Sequence, residues 1–532
     1  MQEKIRILDT TLRDGEQTPG VVLNADDKMK IASALDELGV SVIEAGSPAT
    51  SAGEREALSS VTHLGLSAEI SAYCRMKDED IDLAVSCDVD SVHLVVPSSD
   101  LHIATKMHLN IQNESDRELF FEKAASAVEY AKSCGLTVEF SCEDASRADL
   151  PFLKDLYRTG IDSGADRICF CDTVGILTPE RSTILFSDLS SSLKAPVSVH
   201  CHDDLGLATA NTVAALRAGA SQAHVSVNGI GERSGNTALE EVVMVMEHSY
   251  GCQTGIDTQK LYRISRLVSR LTGIPVAPNK AFVGENSFTH EAGIHVHDMM
   301  RNPSTYEPIL PESVGRRRKI ILGKHAGLSS VELELQEYGI SATDEQKHEI
   351  FRRIKELGDR GKHVTDADFR SISNTVLGLH QDAAITLKSF SAISGRPLIP
   401  TASVILDVNG KEVVEAGTGD GPVDAAISAV RKAVSSLGDV TLEEYHVDSI
   451  TGGTDALVEV TVRLSRDGET VTAKGSRTDI IEASVEAVIN GMNMLFRKRR
   501  FPEKAHFRNY IVCDAGCHVS EPVFSHEIRI VH

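Results

Sequence analysis

Short apolar runs alternate with longer amphipathic stretches over about the first 250 residues of the chain. The clearest amphipathic stretch covers residues 25–38, where Ile31, Leu35 and Leu38 share one face, Asn24 is an N-cap and Gly39 is a stop signal. Eight apolar runs have the length and composition of buried strands, at residues 5–12, 41–46, 68–74, 91–97, 137–141, 167–172, 197–202 and 222–228. The pattern therefore predicts eight consecutive strand–helix units.

Eight such units within about 250 residues are typical of a (β/α)8 TIM barrel, whose strands are apolar on both faces because helices cover the sheet. A doubly wound open sheet is the alternative, and the number of strands favours the barrel. We therefore predict an α/β fold that begins with a catalytic barrel over residues 1–270.

The remaining chain predicts two further regions and a tail. Residues 271–382 lose the strand rhythm and predict helical linker subdomains. Residues 383–497 carry two hairpin signals, Asn409-Gly410 and Asp467-Gly468, which are 58 positions apart. The same offset aligns Val404 with Val462, Leu406 with Leu464, Gly417 with Gly475, Ala425 with Ala483, Ala429 with Ala487 and Val430 with Val488. This region is therefore predicted to be an α+β domain with an internal duplication. Residues 498–532, which include Cys513 and Cys517, have no clear pattern, and we assign them no role.

Composition excludes some functions. The chain has 54 Lys and Arg against 77 Asp and Glu, a formal net charge of -23, which argues against a nucleic-acid partner. No apolar run approaches the roughly 18 residues of a membrane span, and ten cysteines are scattered rather than arranged as a disulfide framework. We expect a cytoplasmic protein with reduced thiols and no membrane partner. The basic run Arg316–Lys319 is either an anion-binding patch or a solvated charge run.

Candidate metal ligands stand where two of the predicted strands end. Arg13 and Asp14 come where the first strand opens into a Gly- and Pro-containing loop. His200 and His202 close the seventh strand, and the two-residue period of a strand places both imidazoles on one face. Two imidazoles and one carboxylate form a plausible set of ligands for a divalent metal.

Most of the other predicted strands also end in polar groups, and in a barrel these ends meet at one mouth. The residues are Glu44, Arg75, His93, Ser141, Glu143, Asp172, Thr173 and Asn228. A glycine-rich loop over residues 228–237 follows the eighth strand and includes Asn236. Further along, His290 lies in a polar stretch, and with Tyr306 it is a candidate acid or base that reaches over the barrel mouth. A converging set of ionisable groups indicates an active site.

Four motifs together resemble those of the 2-isopropylmalate synthase family, whose relatives include citramalate and homocitrate synthases. They are residues 9–17 (DTTLRDGEQ), 200–206 (HCHDDLG), 228–236 (NGIGERSGN) and 290–295 (HEAGIH). The resemblance implies a Claisen condensation of acetyl-CoA with a 2-oxo acid, followed by thioester hydrolysis. It also implies that the duplicated domain senses leucine as an effector, and that the protein is a homodimer whose subunits exchange linker elements.

The resemblance also implies roles for individual residues. Asp14, His200 and His202 match the family's ligands to a divalent ion, and Asn236 matches a further residue at that site. The ion is Mn²⁺, Mg²⁺ or Zn²⁺, which the resemblance does not distinguish. The residues matching catalytic groups are Arg13, which stabilises negative charge on oxygen, Glu143, His290 and Tyr306, the last two reaching over from the partner subunit. Those matching groups that hold the oxo acid are His93, Ser141 and Thr173.

Two features bear on the choice of substrate: Ser141, and the second copy of the C-terminal repeat, whose residues 475–484 look like the leucine-sensing type. Ser141 stands where citramalate synthases of one type carry a tyrosine, and a small side chain leaves volume for an isopropyl group. This favours 2-isopropylmalate synthase, which uses 2-oxoisovalerate and is inhibited by leucine. Citramalate synthase, which uses pyruvate, is the alternative, and homocitrate synthase or a non-catalytic, amino-acid-binding regulatory paralogue is less favoured.

Overall fold

A closed barrel of eight parallel strands occupies the first half of the chain. The computed structural model describes residues 4–359, 364–377, 384–395, 397–449 and 458–496. Each strand pairs with its neighbours in chain order, and the first pairs with the last. The strands are β1 (Arg6–Asp9), β2 (Val42–Gly46), β3 (Glu69–Arg75), β4 (Ser91–Pro97), β5 (Thr137–Glu143), β6 (Arg167–Asp172), β7 (Val197–Cys201) and β8 (Gln222–Val225). The TIM barrel predicted from the sequence is therefore confirmed.

Helices cover the outside of the barrel and bury its apolar strand residues. The first of them begins after Asn24, whose side chain accepts the backbone N–H of Asp27, and ends at Gly39, which has a left-handed φ of 97°. Both signals were predicted from the sequence. The helices of the barrel are α1 (Ala25–Leu38), α2 (Ala52–Thr62), α3 (Asp78–Ser86), α4 (Asp100–Met107), α5 (Glu114–Ser133), α6 (Leu150–Asp162), α7 (Pro179–Ser192), α8 (Ala208–Arg217) and α9 (Leu239–Met244).

The strand ends differ from their predicted positions, and the differences place the site residues. β1 stops at Asp9 because the next residues turn, and the backbone N–H groups of Arg13 and Gly15 both donate to the carbonyl of Thr10. β5 continues two residues beyond its predicted end, to Glu143. β8 ends at Val225, and Asn228 lies in a following turn with a φ of 64°. Arg13 and Asp14 therefore lie on a loop above the barrel rather than on a strand.

Residues 4–290 together with 298–320 form one compact unit, and residues 291–297 with the described residues between 321 and 496 form a second. The first unit also contains α10 (Leu261–Thr272) and the paired two-residue strands β9 (Thr289–His290) and β10 (Lys319–Ile320), while α11 (Gly293–Arg301) crosses the division. β9 and β10 are too short to leave a sequence pattern. The second unit includes the predicted helices of the linker, α12 (Leu328–Glu337), α13 (Asp344–Asp359) and α14 (Asp366–Leu377). The boundaries at 270, 382 and 497 stay predictions.

The C-terminal region repeats one motif, a three-stranded antiparallel sheet followed by a helix. The first copy comprises β11 (Ile385–Gly395), β12 (Leu398–Val408), β13 (Lys411–Thr418) and α15 (Pro422–Ala433), and the second comprises β14 (Thr441–Ser449), β15 (Val458–Arg466), β16 (Glu469–Arg477) and α16 (Ile480–Phe496). Gly417 and Gly475 are equivalent: a Cβ on either would lie within 2.6 Å of backbone atoms of the helix in its own copy. The predicted duplication is confirmed, and close strand–helix packing explains its repeated glycines.

Some sequence predictions lie outside the described residues, namely the glycine turn at residues 452–454 and the tail with Cys513 and Cys517. Within the described ranges, no helix is both long and apolar enough to cross a membrane.

Candidate active site

A cavity of about 430 Å³ opens where the barrel strands end. Its wall combines residues of strands β3 to β7 with residues of the loops after β1, β2, β6, β7 and β8. Eight residues singled out from the sequence line it: Arg13, Asp14, Arg75, His93, Glu143, Thr173, His200 and His202. The TIM barrel thus brings together side chains that are up to about 190 positions apart in the chain.

Three of these side chains converge on one point. The Nε2 atoms of His200 and His202 are 3.3 Å apart, and they lie 3.5 and 3.9 Å from Oδ2 of Asp14. All three side chains are buried, and together they form a group able to hold a metal ion. Asn236 is joined to His202 by a backbone bridge, and its buried Oδ1 has no hydrogen-bond partner among the described residues.

The electrostatics of the three residues suit metal ligation. Burial lowers the pKa of both His200 and His202, so that the imidazoles are neutral, as metal ligands must be. Burial raises the pKa of Asp14, but the positive charge of Arg13 is the main effect that opposes burial and holds this pKa below its usual range. A neutral imidazole pair beside a carboxylate is a donor set that fits a divalent ion such as Zn²⁺ or Mn²⁺.

Arg13 is fixed from several sides. Its Nη1 donates to Asp14 at 2.9 Å and its Nε to Glu44 at 2.8 Å, while the guanidinium lies 4.8 Å from the centre of the Tyr73 ring. Glu44 also binds Nδ1 of His93 at 2.7 Å. The cation is therefore held in place beside the candidate metal ligands, and its orientation does not depend on substrate.

The partners of Arg13 are themselves charged at neutral pH. Burial raises the pKa of Glu44, but Arg13 and His93 outweigh this effect and lower it to about 2. Burial lowers the pKa of His93, but Glu44 outweighs it and raises the value to about 10. The buried chain of Asp14, Arg13, Glu44 and His93 thus alternates in charge, which stabilises each member in a water-poor site.

Glu143 and Thr173 lie on neighbouring parts of the rim. Both carboxylate oxygens of Glu143 accept from Nζ of Lys106, at 2.6 and 2.5 Å. The hydroxyl of Thr173 accepts the backbone N–H of Asp144 at 2.8 Å, and its carbonyl accepts Nη2 of Arg233 at 2.7 Å. These contacts hold both side chains at the cavity edge.

Four of the predicted site residues do not line this cavity in the described part of the chain. Ser141 is fully buried on β5, one layer below Glu143. Asn236 is buried and is joined to His202 by the backbone bridge. His290 bonds through Nε2 to Glu307 at 3.1 Å, and Tyr306 is 42% exposed. Neither His290 nor Tyr306 is therefore among the described residues that form the wall of the cavity in one chain.

Sequence reasoning missed several cavity residues, among them Tyr73 on β3 and Cys171 on β6. Tyr73 reads as a core aromatic inside a strand. The two-residue period could have found both, because Tyr73 shares a face with Arg75 and Cys171 shares one with Thr173. A hydrogen bond from Cys169 is the largest cause that lowers the pKa of Cys171, to about 6; burial opposes it and His93 assists.

A second cavity of about 780 Å³ adjoins the first. The two cavities share the residues Tyr73, Arg75, Val95 and Glu143. The second wall is partly apolar, with Met76, Pro97, Met107 and Leu119, and it carries the lysines Lys77, Lys106 and Lys123 next to the acidic Asp78, Glu79 and Glu122. The rim of the barrel thus offers two connected binding spaces of different character.

Family models and related proteins match nearly the whole chain. The models describe an HMGL-like domain over residues 4–268, a homocitrate synthase post-HMGL domain-like region over 282–362 and a LeuA allosteric (dimerisation) domain over 363–496. A protein of Methanosarcina mazei named putative (R)-citramalate synthase CimA is 61% identical over 487 residues, which are 91% of this chain and 100% of that protein. The (R)-citramalate synthase CimA of Methanocaldococcus jannaschii is 53% identical over 493 residues, 92% and 99% of the two chains.

Among solved structures, hydroxymethylglutaryl-CoA lyase from Pseudomonas aeruginosa is 20% identical with a TM-score of 0.46, and the match covers 52% of this chain and 95% of that one. The assignment to a family rests on the sequence relatives and not on this structure. The relatives are far more similar to this chain, and their matches cover both chains almost completely. The chain therefore belongs to the family of acetyl-CoA-dependent enzymes that condense 2-oxo acids, built from an HMGL-like barrel and a LeuA domain, and the relatives it resembles within that family are named (R)-citramalate synthase.

Proposed function

We propose that this protein is an (R)-citramalate synthase, which condenses acetyl-CoA with pyruvate and water to give citramalate and CoA. The observation that carries the proposal is the cavity in which Asp14, His200, His202 and Arg13 converge. Tyr73 is one of the residues that this cavity shares with the second cavity. The names of the relatives support pyruvate over 2-oxoisovalerate. These names favour citramalate synthase, the alternative in the sequence analysis, over 2-isopropylmalate synthase, which the sequence analysis preferred.

The argument from Ser141 does not support 2-oxoisovalerate either. Ser141 lies below the cavity wall, so its small size adds no volume to the open space. The bulky group at the junction is Tyr73, which packs edge-to-face on His93 at 5.9 Å between ring centres. A large aromatic ring beside the fixed Arg13 suits a 2-oxo acid with a methyl side chain.

Each group of cavity residues has a separate role in the proposed reaction. A divalent ion bound by Asp14, His200 and His202 would act as a Lewis acid on the ketone of the 2-oxo acid. Arg13 stabilises the negative charge that develops on the ketone oxygen when the new carbon–carbon bond forms. Glu143 lines both cavities and takes a proton from the acetyl methyl group, whose carbon then bonds to the ketone carbon. The new alkoxide takes up a proton, and water then cleaves the thioester, releasing CoA and the second carboxylate.

Replacing Tyr73 by Leu is expected to change which 2-oxo acid is preferred. The smaller side chain leaves room for larger substrates, so kcat/KM for 2-oxobutyrate and 2-oxoisovalerate should rise relative to that for pyruvate by about tenfold, since one or two methylenes are worth about 1 to 3 kcal/mol. The measurement is CoA release with each 2-oxo acid. Tyr73→Phe keeps the volume and is the matched control, expected to keep the ranking. An unchanged ranking in Tyr73→Leu would exclude this role.

We place acetyl-CoA in the second cavity. Its apolar wall suits the pantetheine chain, and its lysines suit the phosphates of the nucleotide end. Because the cavity shares Glu143 with the first, the acetyl group at the end of the chain would lie next to the oxo acid.

Replacing Lys123 by Met should therefore raise KM for acetyl-CoA about fivefold while KM for pyruvate stays the same, because one solvent-exposed ion pair contributes about 1 kcal/mol or less. Initial rates at varied acetyl-CoA and pyruvate measure both values. Lys132→Met is the control on the same helix, since Lys132 pairs with Asp166 at 2.8 Å and does not line the cavity. Equal KM values in the two variants would remove Lys123 from the acetyl-CoA site.

We also propose a homodimer in which His290 and Tyr306 of one subunit serve the cavity of the other. The match to a LeuA dimerisation domain supports this, and neither residue is among those that line the cavity of its own chain in the described ranges. Arg13→Lys and His290→Ala should then each be nearly inactive alone but regain part of the activity when the two are co-expressed, because one cavity of the mixed dimer is intact. Activity assays on purified mixed dimers test this. No recovery would place His290 and the cavity it serves in the same subunit.

The duplicated C-terminal domain is proposed to bind a branched-chain amino acid as a feedback inhibitor. The match to a LeuA allosteric domain over residues 363–496 supports such a role. Leucine was expected from the resemblance to 2-isopropylmalate synthase. A citramalate synthase would instead be inhibited by isoleucine. Inhibition assays with leucine and with isoleucine distinguish the two possibilities.

The identity of the product tests the proposed reaction. Acetyl-CoA and ¹³C-labelled pyruvate incubated with the protein and a divalent ion should yield labelled citramalate, visible by NMR, together with CoA. Consumption of 2-oxoisovalerate but not pyruvate would overturn the proposal in favour of isopropylmalate synthesis.

A further inference from the structure

One layer of the barrel interior is made of metal-binding groups rather than the branched apolar residues usual there. The even-numbered strands contribute it, with Glu44 on β2, His93 on β4, Cys171 on β6 and His224 on β8, and Cys169 lies two residues before Cys171 on β6, one layer deeper. These side chains are all buried. Cys171 also lines the active-site cavity, so the layer can be reached from solvent through that cavity.

We propose that Cys169, Cys171 and His224 form a second metal site, specific for thiophilic ions such as Zn²⁺ or Cd²⁺ and distinct from the site at Asp14, His200 and His202. The Sγ atoms of the two cysteines are 3.8 Å apart. Two thiolates on a tetrahedral zinc ion are separated by about 3.8 Å, given Zn–S bonds of about 2.3 Å. The spacing of the thiols thus needs no rearrangement to bind one ion.

His224 supplies the nitrogen ligand. Its Nδ1 lies 4.0 Å from Sγ of Cys169, close to the separation of about 3.6 Å expected for a sulfur and a nitrogen on one zinc ion. Its Nε2 bonds to Oε1 of Glu139 at 2.7 Å. Metal-bound histidines commonly donate their second N–H to a carboxylate in this way, which fixes the tautomer with Nδ1 free to bind.

Glu139 forms a candidate metal-binding group with Cys169 and His224, with ligand atoms that lie within 4.8 Å of one another, and it is itself held firmly. It accepts from Arg167 at 3.0 Å and from Nε2 of Gln222 at 2.9 Å. On the other side, His93 pairs with Glu44 and its charged ring lies near Cys171, which favours the thiolate that a metal ion requires. Binding of the ion releases the thiol protons to solvent.

The proposed site differs from the site at Asp14, His200 and His202 in its metal preference, because thiolates are soft ligands. Thiolates prefer Zn²⁺ and Cd²⁺ over Mg²⁺ and Mn²⁺, whereas the Asp14 site offers only oxygen and nitrogen. Since Cys171 and His93 line the cavity, an ion bound at the thiols occupies the floor of the active site. We therefore expect Cd²⁺ to inhibit the enzyme in the presence of saturating Mg²⁺.

The test is a titration of the full-length protein with Cd²⁺, followed by the ultraviolet charge-transfer band of cadmium thiolates. The wild type should show a band that saturates at stoichiometric Cd²⁺. Cys169→Ser and Cys171→Ser should each abolish it, and Glu139→Gln should weaken Cd²⁺ binding by about 10- to 100-fold. His202→Ala should keep the band, because His202 belongs to the other site. Cys142→Ser is the matched control, a buried cysteine of the neighbouring strand, and it should also keep the band.

Two results would overturn the proposal. One is the absence of a stoichiometric band in the wild type, and the other is a band that survives in Cys169→Ser and Cys171→Ser but is lost when Cys513 and Cys517 are replaced by Ser. Should the Cys→Ser variants fail to fold, X-ray absorption of cadmium in the wild type decides: two sulfur neighbours and a nitrogen support the site, and oxygen and nitrogen neighbours alone exclude it.

Discussion

Replacing His200 by Ala should lower the rate of CoA release by at least about 1,000-fold, on the order of 4 kcal/mol of transition-state stabilisation. His200 is central to the candidate metal set, with its Nε2 within 3.5 Å of both His202 and Asp14. Its removal leaves only two of the three converging side chains. The measurement combines turnover with the metal content of the purified variant, and both should fall together.

Asp203→Asn is the matched control for His200→Ala. Asp203 belongs to the same motif, but its side chain turns away from the cavity and accepts the backbone N–H of Ala208 at 2.8 Å, a role that Asn can keep. This variant should retain turnover within a few-fold of wild type. If His200→Ala kept both its metal and its turnover, the assignment of this site as the catalytic metal site would be wrong.

The second large effect is expected from Arg13→Lys. Lysine keeps the positive charge, so Asp14 and Glu44 are not left as buried, uncompensated anions. It lacks the planar fork by which Arg13 binds both carboxylates at once, and it cannot hold a donor in the same place. We expect kcat to fall about 100- to 1,000-fold, as for the loss of one fixed donor to a developing oxyanion, with a smaller change in KM for pyruvate.

Arg147→Lys provides the control for Arg13→Lys. Arg147 also pairs with a buried carboxylate, Asp144, next to Glu143, but it does not line the cavity. Its replacement should leave kcat nearly unchanged. Thermal unfolding of both variants separates loss of structure from loss of chemistry. A kcat for Arg13→Lys close to that of the wild type would contradict a charge-stabilising role for this arginine.

The barrel and the metal set were predictable because both depend on short-range rules. Eight strand–helix units leave eight readable patterns, and parallel strands in a barrel bring their carboxyl ends to one mouth. The convergence of Asp14 with His200 and His202 follows from strand ends and a two-residue period, without knowledge of the distances. The duplicated domain was predictable because its repeat preserves Gly417 and Gly475, where a side chain would strike the adjacent helix.

The substrate pocket was less predictable because it depends on where each strand stops. β5 continues to Glu143, so Ser141 lies one layer deeper than a strand end at residue 141 implies. Tyr73 was overlooked because an aromatic inside an apolar strand looks like core, whereas here it forms part of the cavity wall. One-residue shifts in depth decide which side chain meets a substrate, and sequence patterns do not fix strand ends to that accuracy.

Contacts between distant segments were also beyond the sequence. The ion pairs of Arg13 with Glu44 and of Glu143 with Lys106 join residues more than 30 positions apart. The cluster of Cys169, Cys171 and His224 likewise depends on the register between strands, which pairs Cys171 with His200 and His200 with His224. Such pairings follow from the closed barrel and could be inferred only after it was built.

The central claim is that the cavity condenses acetyl-CoA with pyruvate, and steady-state CoA release tests it most directly. The protein is assayed with acetyl-CoA and a divalent ion against pyruvate, 2-oxobutyrate, 2-oxoisovalerate and 2-oxoglutarate, each with and without isoleucine or leucine. We predict the highest kcat/KM for pyruvate and loss of activity after chelation of the metal. A highest kcat/KM for 2-oxoisovalerate, or CoA release from none of the four acids, would contradict the account.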